Sequence, residues 1–229
     1  MEYLQNGFLL ELSKGAFPLS TDSIALSHFV SLKKGAQVLD LGSGCGTLGL
    51  MLCAKDDSCR VTGIELDEDA HNMALHNARQ NQIVHRLTSI CADVKAISSQ
   101  IPAGSFSCCV SNPPYYSAGP QSTKTPLARR ADMLPMGELF AAASRALCHG
   151  GDFFLVHKPE MLAQICALGV SHQLEPKKLC LLRHREDGPV SLVLVHLKKG
   201  AKPGLLWQEE ALHHADGSHT QYYRKLYHQ

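Results

Sequence analysis

The sequence has almost no net charge, and this balance limits what it can bind. Its 22 lysines and arginines nearly match its 21 aspartates and glutamates, which leaves a net charge of +1. A chain without a global positive field is not a general nucleic-acid binder, so an RNA or DNA substrate would need a local basic patch. With 229 residues, 45% of them hydrophobic, the chain is long enough to bury a full core in one domain.

Paired cysteines and long apolar runs are also missing. The nine cysteines are odd in number and include no Cys-x-x-Cys pair, and several lie in apolar patterns typical of buried side chains. We therefore expect reduced thiols, no disulfide framework, no metal site and a cytoplasmic location. No uninterrupted apolar run approaches the length of a membrane span, and the first residues do not resemble a signal peptide.

A glycine-rich turn is the clearest local pattern. Residues 37–41 predict a buried strand that ends at Asp40-Leu41, after which Gly42-Ser43-Gly44-Cys45-Gly46 leads into a helix that opens at Thr47. The glycines allow a tight turn and a close approach of the backbone to a ligand, and the helix start offers free N–H groups. The spacing is neither a dinucleotide fingerprint nor a P-loop, so the turn alone does not identify the ligand.

Two further predicted strands end near acidic residues. The strand at 60–65 ends at Glu65, about twenty residues after the glycines, where a carboxylate can accept hydrogen bonds from ribose hydroxyls. The acids after Glu65 also favour the start of a helix, predicted over residues 68–81. A third strand, at 87–91, leads to Asp93, which either accepts from an adenine amine of a cofactor or caps the next helix.

The stretch Ser111-Asn112-Pro113-Pro114-Tyr115-Tyr116 follows a fourth predicted strand, at 106–110. Two prolines remove two backbone donors and force extended conformations before them, so the result is a stiff turn. In an open α/β sheet this edge is where ligands bind. Asn112 and the Pro113 carbonyl supply acceptors and Tyr115 supplies a flat face, which suits a planar group with an amine, such as a flipped adenine. An ordinary strand-ending loop is the alternative.

Two flanking stretches are further candidates for ligand contacts. Ser20-Thr21-Asp22-Ser23 precedes a helical pattern, and it either caps that helix or also closes over a ligand. Residues 117–133 form a polar loop that is long for a compact domain. Lys124, Arg129 and Arg130 make the loop locally basic, so it either holds phosphates or is simply solvated.

The remaining elements complete one domain. We divide the chain into an N-terminal extension at 1–36 with a short hairpin, a core at 37–200, and a C-terminal tail at 201–229. Further elements are predicted after the polar loop: helices at 136–147 and 159–168, a strand at 152–156, and an antiparallel pair at 179–184 and 190–197. The histidines of the tail are expected to be solvated.

The order of these motifs resembles that of class I S-adenosylmethionine-dependent methyltransferases. Their cofactor loop is similar to Asp40-Leu41-Gly42-Ser43-Gly44-Cys45-Gly46, and members that methylate an amino group carry a signature similar to Asn112-Pro113-Pro114-Tyr115. Later motifs extend the resemblance over nearly the whole chain to the bacterial tRNA adenine-N6 methyltransferases that modify a valine tRNA beside its anticodon. These stretches are residues 20–23, Ala128-Arg129, residues 157–160, residues 199–205 and residues 216–227.

This resemblance implies a fold, a cofactor and a set of site residues. The fold would be a Rossmann-like seven-stranded mixed sheet, with six parallel strands, one antiparallel strand and helices on both faces. The catalytic residues would be Asn112, Pro113 and Tyr115. S-adenosylmethionine would be bound by Thr21, Asp40, Gly42, Gly44, Gly46, Glu65, Asp93 and Asn112. A tRNA substrate would contact Pro114, Tyr116, Lys124, Arg129 and Arg130. The protein would be a monomer or weak dimer without a metal or membrane partner.

Three other functions share parts of this pattern. Enzymes that methylate a glutamine amide in release factors carry a similar Asn-Pro-Pro-Tyr signature, but they usually have an added N-terminal helical domain. Methylation of adenine in DNA is a second alternative, although no separate DNA-reading domain is evident. A cofactor-binding module that no longer catalyses and only binds RNA or a protein is the third, and the intact motifs weigh against it.

Overall fold

The structure, a computed structural model, describes residues 2–4, 7–14, 18–115 and 134–227. The strands are β1 (Glu2–Tyr3), β2 (Leu9–Leu10), β3 (Gln37–Leu41), β4 (Arg60–Glu65), β5 (Leu87–Cys91), β6 (Phe106–Ser111), β7 (Leu147–His157), β8 (Leu174–Arg185), β9 (Val190–Lys199) and β10 (Leu206–His213). The α-helices are α1 (Thr21–Phe29), α2 (Thr47–Lys55), α3 (Glu68–Gln80), α4 (Met136–Ala146), α5 (Leu162–Ser171) and α6 (Gln221–Tyr227). Short 3-10 helices cover Val94–Ser99 and Pro159–Met161. The strands predicted at 37–41, 60–65 and 87–91 are therefore confirmed.

One large sheet organises the described residues. Its strand order is β10-β8-β9-β7-β6-β3-β4-β5, and every neighbouring pair is parallel except the two pairs that β9 makes with β7 and β8. The predicted helix-covered α/β sheet is confirmed, but its strand number was wrong, since this sheet has eight strands. The eighth is β10, which lies in the stretch expected to be a tail.

The extra strand was missed because its sequence signal is weak. β10 is an edge strand that pairs only with β8, and most of its side chains are exposed or half-buried. Polar residues therefore cost it little, and the run Gln208-Glu209-Glu210 hides the apolar alternation that identifies a strand.

Apolar side chains from the two faces of the sheet build two cores. Val38 and Phe154 belong to the core under α1 and α2, while their neighbours Leu39 and Phe153 belong to the core under α4. Successive side chains of a strand point to opposite faces, so alternate residues feed both layers. Strands buried on both faces explain the continuous apolar runs of the sequence.

Helix α6 joins late residues to an early helix. Leu226 is buried in the core under α1, and the Tyr227 hydroxyl lies 3.0 Å from the Thr21 hydroxyl. The His219 ring stacks on Tyr223 with ring centroids 3.7 Å apart, so this histidine, expected to be solvated, is half-buried. None of the helices in the described ranges has the length and apolar character that a membrane span requires.

Parallel pairing brings the predicted site residues to one edge of the sheet. Asp40 of β3 lies beside Gly63 of β4 and Val110 of β6 in the strand register. The carboxyl ends of these strands, with the loops that follow them, therefore meet at the same edge.

Candidate active site

A cleft runs along this edge and has two adjoining parts. One part, of about 240 Å³, lies between the glycine-rich turn and the start of α1, and the other, of about 260 Å³, lies between that turn and the loops after β4 and β5. Both parts are lined by Gly42, Gly44, Asn112 and Pro114. The two sequence motifs therefore form a single continuous site.

The glycine-rich turn has the left-handed backbone that its sequence predicts. Gly42, Gly44 and Gly46 have φ angles of 75°, 55° and 80°. A Cβ added at Gly42 or Gly44 would meet no other atom within 4 Å, so the missing side chains leave open space in the cleft. The amides of Gly42 and Ser43 both donate to the Ile64 carbonyl, at 2.9 and 3.0 Å. Because these two amides already donate within the protein, they are not free to bind a ligand. The contribution of Gly42 and Gly44 to the cleft is therefore open space.

Glu65 braces this turn. Its carboxylate accepts from the Gly44 amide at 2.7 Å and from the Asp67 amide at 2.9 Å. A carboxylate has about four lone-pair sites, so two bonds leave acceptor capacity for a ligand. Glu65 also lines the larger part of the cleft, where Ile64, Leu66 and Val94 supply apolar walls.

Asp93 lies across the same part of the cleft and caps the 3-10 helix after β5. Its side chain accepts from the Lys95 amide at 2.9 Å, and its second oxygen lies 3.4 Å from the Lys95 ammonium. Both readings of the sequence are therefore compatible with its position, since a cap can keep a free lone pair for a ligand.

Asp40 is the most unusual group in the site. Its side chain is 1% exposed, lines the smaller part of the cleft, and neither carboxylate oxygen has a hydrogen-bond partner among the described residues. Burial, and secondarily the nearby negative charge of Glu65, raise the pKa of Asp40 to about 7 against a smaller, opposite effect of the Gly49 amide, which lies near the carboxylate without completing a hydrogen bond. The Ser43 hydroxyl in the same wall is also buried without a partner. This part of the cleft therefore has unmet capacity to accept hydrogen bonds from a cationic or amine group.

Asn112 lies where the two parts of the cleft join. Its side-chain NH2 donates to the Ser23 hydroxyl at 3.0 Å, so its carbonyl oxygen is the end of the side chain that Ser23 does not use. The Tyr115 hydroxyl lies 3.5 Å from that oxygen, which is too long for a strong bond. Asn112 therefore presents an acceptor that the protein uses only weakly.

Tyr115 forms one wall beside Asn112. Its hydroxyl donates to the Asp22 carboxylate, and burial together with the Asp22 charge raises the pKa of Tyr115 far above its ordinary value. The phenol therefore keeps its proton at any working pH. Its ring packs edge-on against His157, and the Lys158 ammonium lies 5.0 Å from the ring centroid.

His157 is a buried neighbour of this wall. Its Nδ1 accepts from the Lys158 amide at 2.8 Å, so a neutral ring carries its proton on Nε2, which is buried without a partner. Burial lowers the pKa of His157. The ring is therefore a neutral packing partner of Tyr115 near pH 7.

The structure separates the sequence candidates into two groups. The cleft contains Asp40, Gly42, Gly44, Glu65, Asp93 and residues 112–115. Thr21 is not among its lining residues, since its hydroxyl faces Tyr227, whereas its neighbours Ser20, Asp22 and Ser23 do line it. Which side chains of the first turn of α1 face the cleft depends on how the helix packs, and the sequence alone does not give this. Gly46, expected to bind the cofactor, does not line the cleft either, and a Cβ at Gly46 would lie 3.2 Å from Ala74 of α3. The other substrate candidates, Tyr116, Lys124, Arg129 and Arg130, lie outside the described residues.

The structure also bears on metals and thiols. Within the described ranges, no group of three or more His, Cys, Asp or Glu side chains is arranged to hold a metal ion. All nine cysteines are free thiols, and most are buried.

Comparison with known sequences places this site in a family. A family model described as the methyltransferase small domain matches residues 20–168. A tRNA1(Val) (adenine(37)-N6)-methyltransferase from Aeromonas hydrophila is 30% identical, over 96% of this chain and 92% of the relative. Proteins of the same name from Shewanella halifaxensis and Bacteroides fragilis are 32% and 27% identical, and the matches cover 85% and 93% of this chain and 81% and 92% of those relatives.

Solved structures show the same architecture. A predicted O-methyltransferase from Agrobacterium tumefaciens superposes with a TM-score of 0.74 at 20% identity, over 90% of this chain and 95% of that chain. A class I S-adenosylmethionine-dependent methyltransferase from Listeria monocytogenes gives a TM-score of 0.60 at 16% identity, over 82% of this chain and 63% of that chain. At these identities the likeness shows the fold alone.

Proposed function

Because the chain belongs to the methyltransferase small domain family, we propose that it transfers the methyl group of S-adenosylmethionine to the exocyclic amine of an adenine in tRNA. The predicted resemblance to class I methyltransferases is confirmed, with eight strands in place of seven. One observation carries the proposal. A cleft with the features of a cofactor site continues into a turn where Asn112 presents a weakly used acceptor oxygen.

The residues of the cleft fit the cofactor. S-adenosylmethionine supplies an electrophilic methyl group on a sulfonium, and it also carries an ammonium, a ribose and an adenine. The ammonium is the kind of donor that the partnerless Asp40 lacks. Glu65 retains acceptor capacity for ribose hydroxyls, and Asp93 lies beside the apolar walls that suit an adenine ring.

The substrate end of the cleft favours an amine. The lone pair of an adenine exocyclic nitrogen is delocalised into the ring, which makes it a poor nucleophile. Hydrogen bonds from this amine to the Asn112 oxygen and the Pro113 carbonyl would favour a more tetrahedral nitrogen, and the Tyr115 ring would hold the base in line. Tyr115 keeps its proton, so it positions the base and does not act as a general base. Positioning and electrostatics would supply most of the acceleration.

The choice of tRNA rests on the named relatives. They share the name tRNA1(Val) (adenine(37)-N6)-methyltransferase, so a valine tRNA with adenine at position 37 is the substrate we propose. The exposed Lys158, on the rim beside Tyr115, is a candidate for a phosphate contact near the flipped base. A matching role for Lys124, Arg129 and Arg130 stays a prediction, as does a monomeric or weakly dimeric state.

The alternative substrates are not favoured. The relatives above carry names that specify tRNA, and none of these names specifies a release factor or DNA. The residues expected to hold the cofactor and the Asn-Pro-Pro-Tyr turn expected to hold the substrate line one continuous cleft. This arrangement argues against a module that binds the cofactor without catalysis.

The test uses unmodified bulk tRNA from a strain that lacks the gene. We would incubate this tRNA with the protein and S-adenosylmethionine labelled in its methyl group, and then identify the labelled nucleoside by mass. The expected product is N6-methyladenosine, which mapping should locate next to the anticodon of a valine tRNA. An unlabelled tRNA pool, despite measurable cofactor binding, would overturn the proposal and direct the assay to protein amides and DNA.

A matched variant tests the role of the turn. Asn112→Ala should bind S-adenosylmethionine with nearly unchanged affinity but lose most turnover, by about 10²-fold or more, because it removes the acceptor for the substrate amine while Asp40, Glu65 and Asp93 remain to hold the cofactor. Equal losses in cofactor binding and in turnover would contradict this role.

A further inference from the structure

Two side chains from the first turn of α1 hold the substrate-facing side chains of the Asn-Pro-Pro-Tyr turn. The Ser23 hydroxyl accepts from the Asn112 amide at 3.0 Å, and the Asp22 carboxylate accepts from the Tyr115 hydroxyl. Asp22 and Ser23 both line the cleft, and Ser23 is buried. These contacts join two segments that lie about ninety residues apart in the chain.

The start of α1 is a firm support for such contacts. Ser20 caps the helix, accepting from the Ser23 amide on its side chain and from the Ile24 amide on its carbonyl. Ile24, Ala25 and Leu26 are buried in the core on that face of the sheet. The acceptor groups of Asp22 and Ser23 are therefore fixed relative to the sheet that carries Asn112 and Tyr115.

The hydrogen bonds around Asn112 indicate that Asp22 determines which acceptor the Tyr115 hydroxyl uses. A phenol has one proton to donate. The Tyr115 hydroxyl donates its one hydrogen bond to Asp22, although the Asn112 oxygen lies 3.5 Å away and is the next acceptor that this hydroxyl contacts. If Asp22 were absent, the phenol would turn to the Asn112 oxygen and compete with the substrate amine for it.

We propose that Asp22 is a positioning residue that accepts the hydrogen bond of the Tyr115 hydroxyl and thereby keeps the Asn112 carbonyl oxygen open for the substrate amine. Ser23 assists by accepting from the NH2 group of Asn112, which fixes the orientation of the side-chain amide and of its oxygen. This inference rests on the proposed methylation of an amine, because only a donor substrate benefits from an open acceptor.

A different role for Asp22 makes different predictions. An acid in the first turn of a helix also interacts with the helix dipole, an effect of its charge that is lost equally in asparagine and alanine variants. Hydrogen bonding to Tyr115 needs only an acceptor oxygen, which the asparagine side chain retains. The comparison of Asp22→Asn with Asp22→Ala therefore separates the two roles.

The experiment is a double-mutant cycle on kcat, with saturating S-adenosylmethionine and tRNA. We expect Asp22→Asn to stay within about twofold of the wild type and Asp22→Ala to lose about tenfold, the effect of one competing hydrogen bond. Tyr115→Phe keeps the ring that holds the base but removes the hydroxyl, and its kcat is the reference value for the double variant. The double variant Asp22→Ala/Tyr115→Phe should recover to the Tyr115→Phe value, since the competing hydroxyl is gone.

Additive losses in the double variant would overturn the inference, as would an Asp22→Asn variant as slow as Asp22→Ala. A weakened affinity for S-adenosylmethionine with unchanged kcat would also overturn it, because Asp22 would then be a cofactor ligand. Ser23→Ala is a second test that leaves Asp22 intact, and its kcat should fall several-fold. The control is Ser27→Ala, one turn along the same helix, which should leave kcat unchanged.

The wild-type enzyme distinguishes this failure from failure of the proposed function. If the wild type labels no tRNA, the proposed function is wrong. If the wild type labels adenine in tRNA but the cycle is additive, only the role of Asp22 is wrong.

Discussion

Replacing Asp40 by asparagine should stabilise the ligand-free protein near neutral pH far more than at acidic pH. The carboxyl is buried beside Glu65 without a hydrogen-bond partner, which raises its pKa from 3.8 to about 7. The unfolded chain loses this proton near pH 3.8, whereas the folded protein keeps it up to about pH 7. Within that window the folded state binds more protons than the unfolded state, so the free energy of unfolding falls as the pH rises.

The size of the effect follows from the two pKa values. Each tenfold change in proton affinity is worth about 1.4 kcal/mol, so the stability lost between about pH 4 and pH 7 is about 4 kcal/mol. Such a loss is a large part of the total stability of a typical domain. Asparagine has nearly the same shape and does not ionise. The buried amide of this asparagine lacks a hydrogen-bond partner at every pH. This changes the free energy of unfolding of the variant by a constant amount and does not make it depend on pH.

The assay is urea unfolding of the wild type and Asp40→Asn at several values of pH from about 4.5 to 8.5. The difference between the two proteins cancels the titration of all other groups. We expect this difference to grow in favour of the variant up to about pH 7 and to stay level above it. Saturating S-adenosylmethionine should reduce the difference, because an ammonium beside Asp40 favours the ionised carboxyl. A difference that is constant over the pH range would refute the reasoning.

Three further changes test other parts of the site. Glu65→Ala removes the acceptor for the Gly44 amide and for a ribose, and should weaken S-adenosylmethionine binding by about tenfold or more in calorimetry. Lys158→Ala should raise KM for tRNA several-fold and reduce the slope of log KM against log salt by about 1. Lys158→Arg should leave KM and this slope unchanged, and the affinity for the cofactor should stay constant in both variants. Gly63→Ala places a Cβ 2.5 Å from the Ser43 hydroxyl oxygen, so it should displace the glycine-rich turn and lower the free energy of unfolding by about 1 to 3 kcal/mol, measured with urea.

The cofactor half of the fold could be predicted because its signals are local. A buried strand between two helix-covered faces is a continuous apolar run, and Gly42, Gly44 and Gly46 have the left-handed φ angles that a glycine-rich turn requires. The order of strand, turn and helix then places the carboxyl ends of the strands, and with them Glu65 and Asp93, on one edge.

The contacts around the substrate end could not be predicted, since they join segments distant in sequence. The sequence at residues 20–23 predicts a helix start that can also contact a ligand, but the packing of α1 that turns Asp22 and Ser23 into the cleft, and Thr21 toward Tyr227, is a tertiary property. The missing partner of Asp40 is likewise visible only once its surroundings are packed. Strand β10 could not be predicted because an edge strand with one exposed face tolerates polar residues.

The bond between Thr21 and Tyr227 has a consequence for the order in which the protein matures during translation. The chain can assemble the glycine-rich turn and the central strands while later residues are still in the ribosome. Helix α1, however, gains its contact with α6 only after residue 227 has left the exit tunnel. A nascent chain can thus form the glycine-rich turn and the central strands early, whereas Asp22 and Ser23 obtain their full support only after residue 227 has emerged.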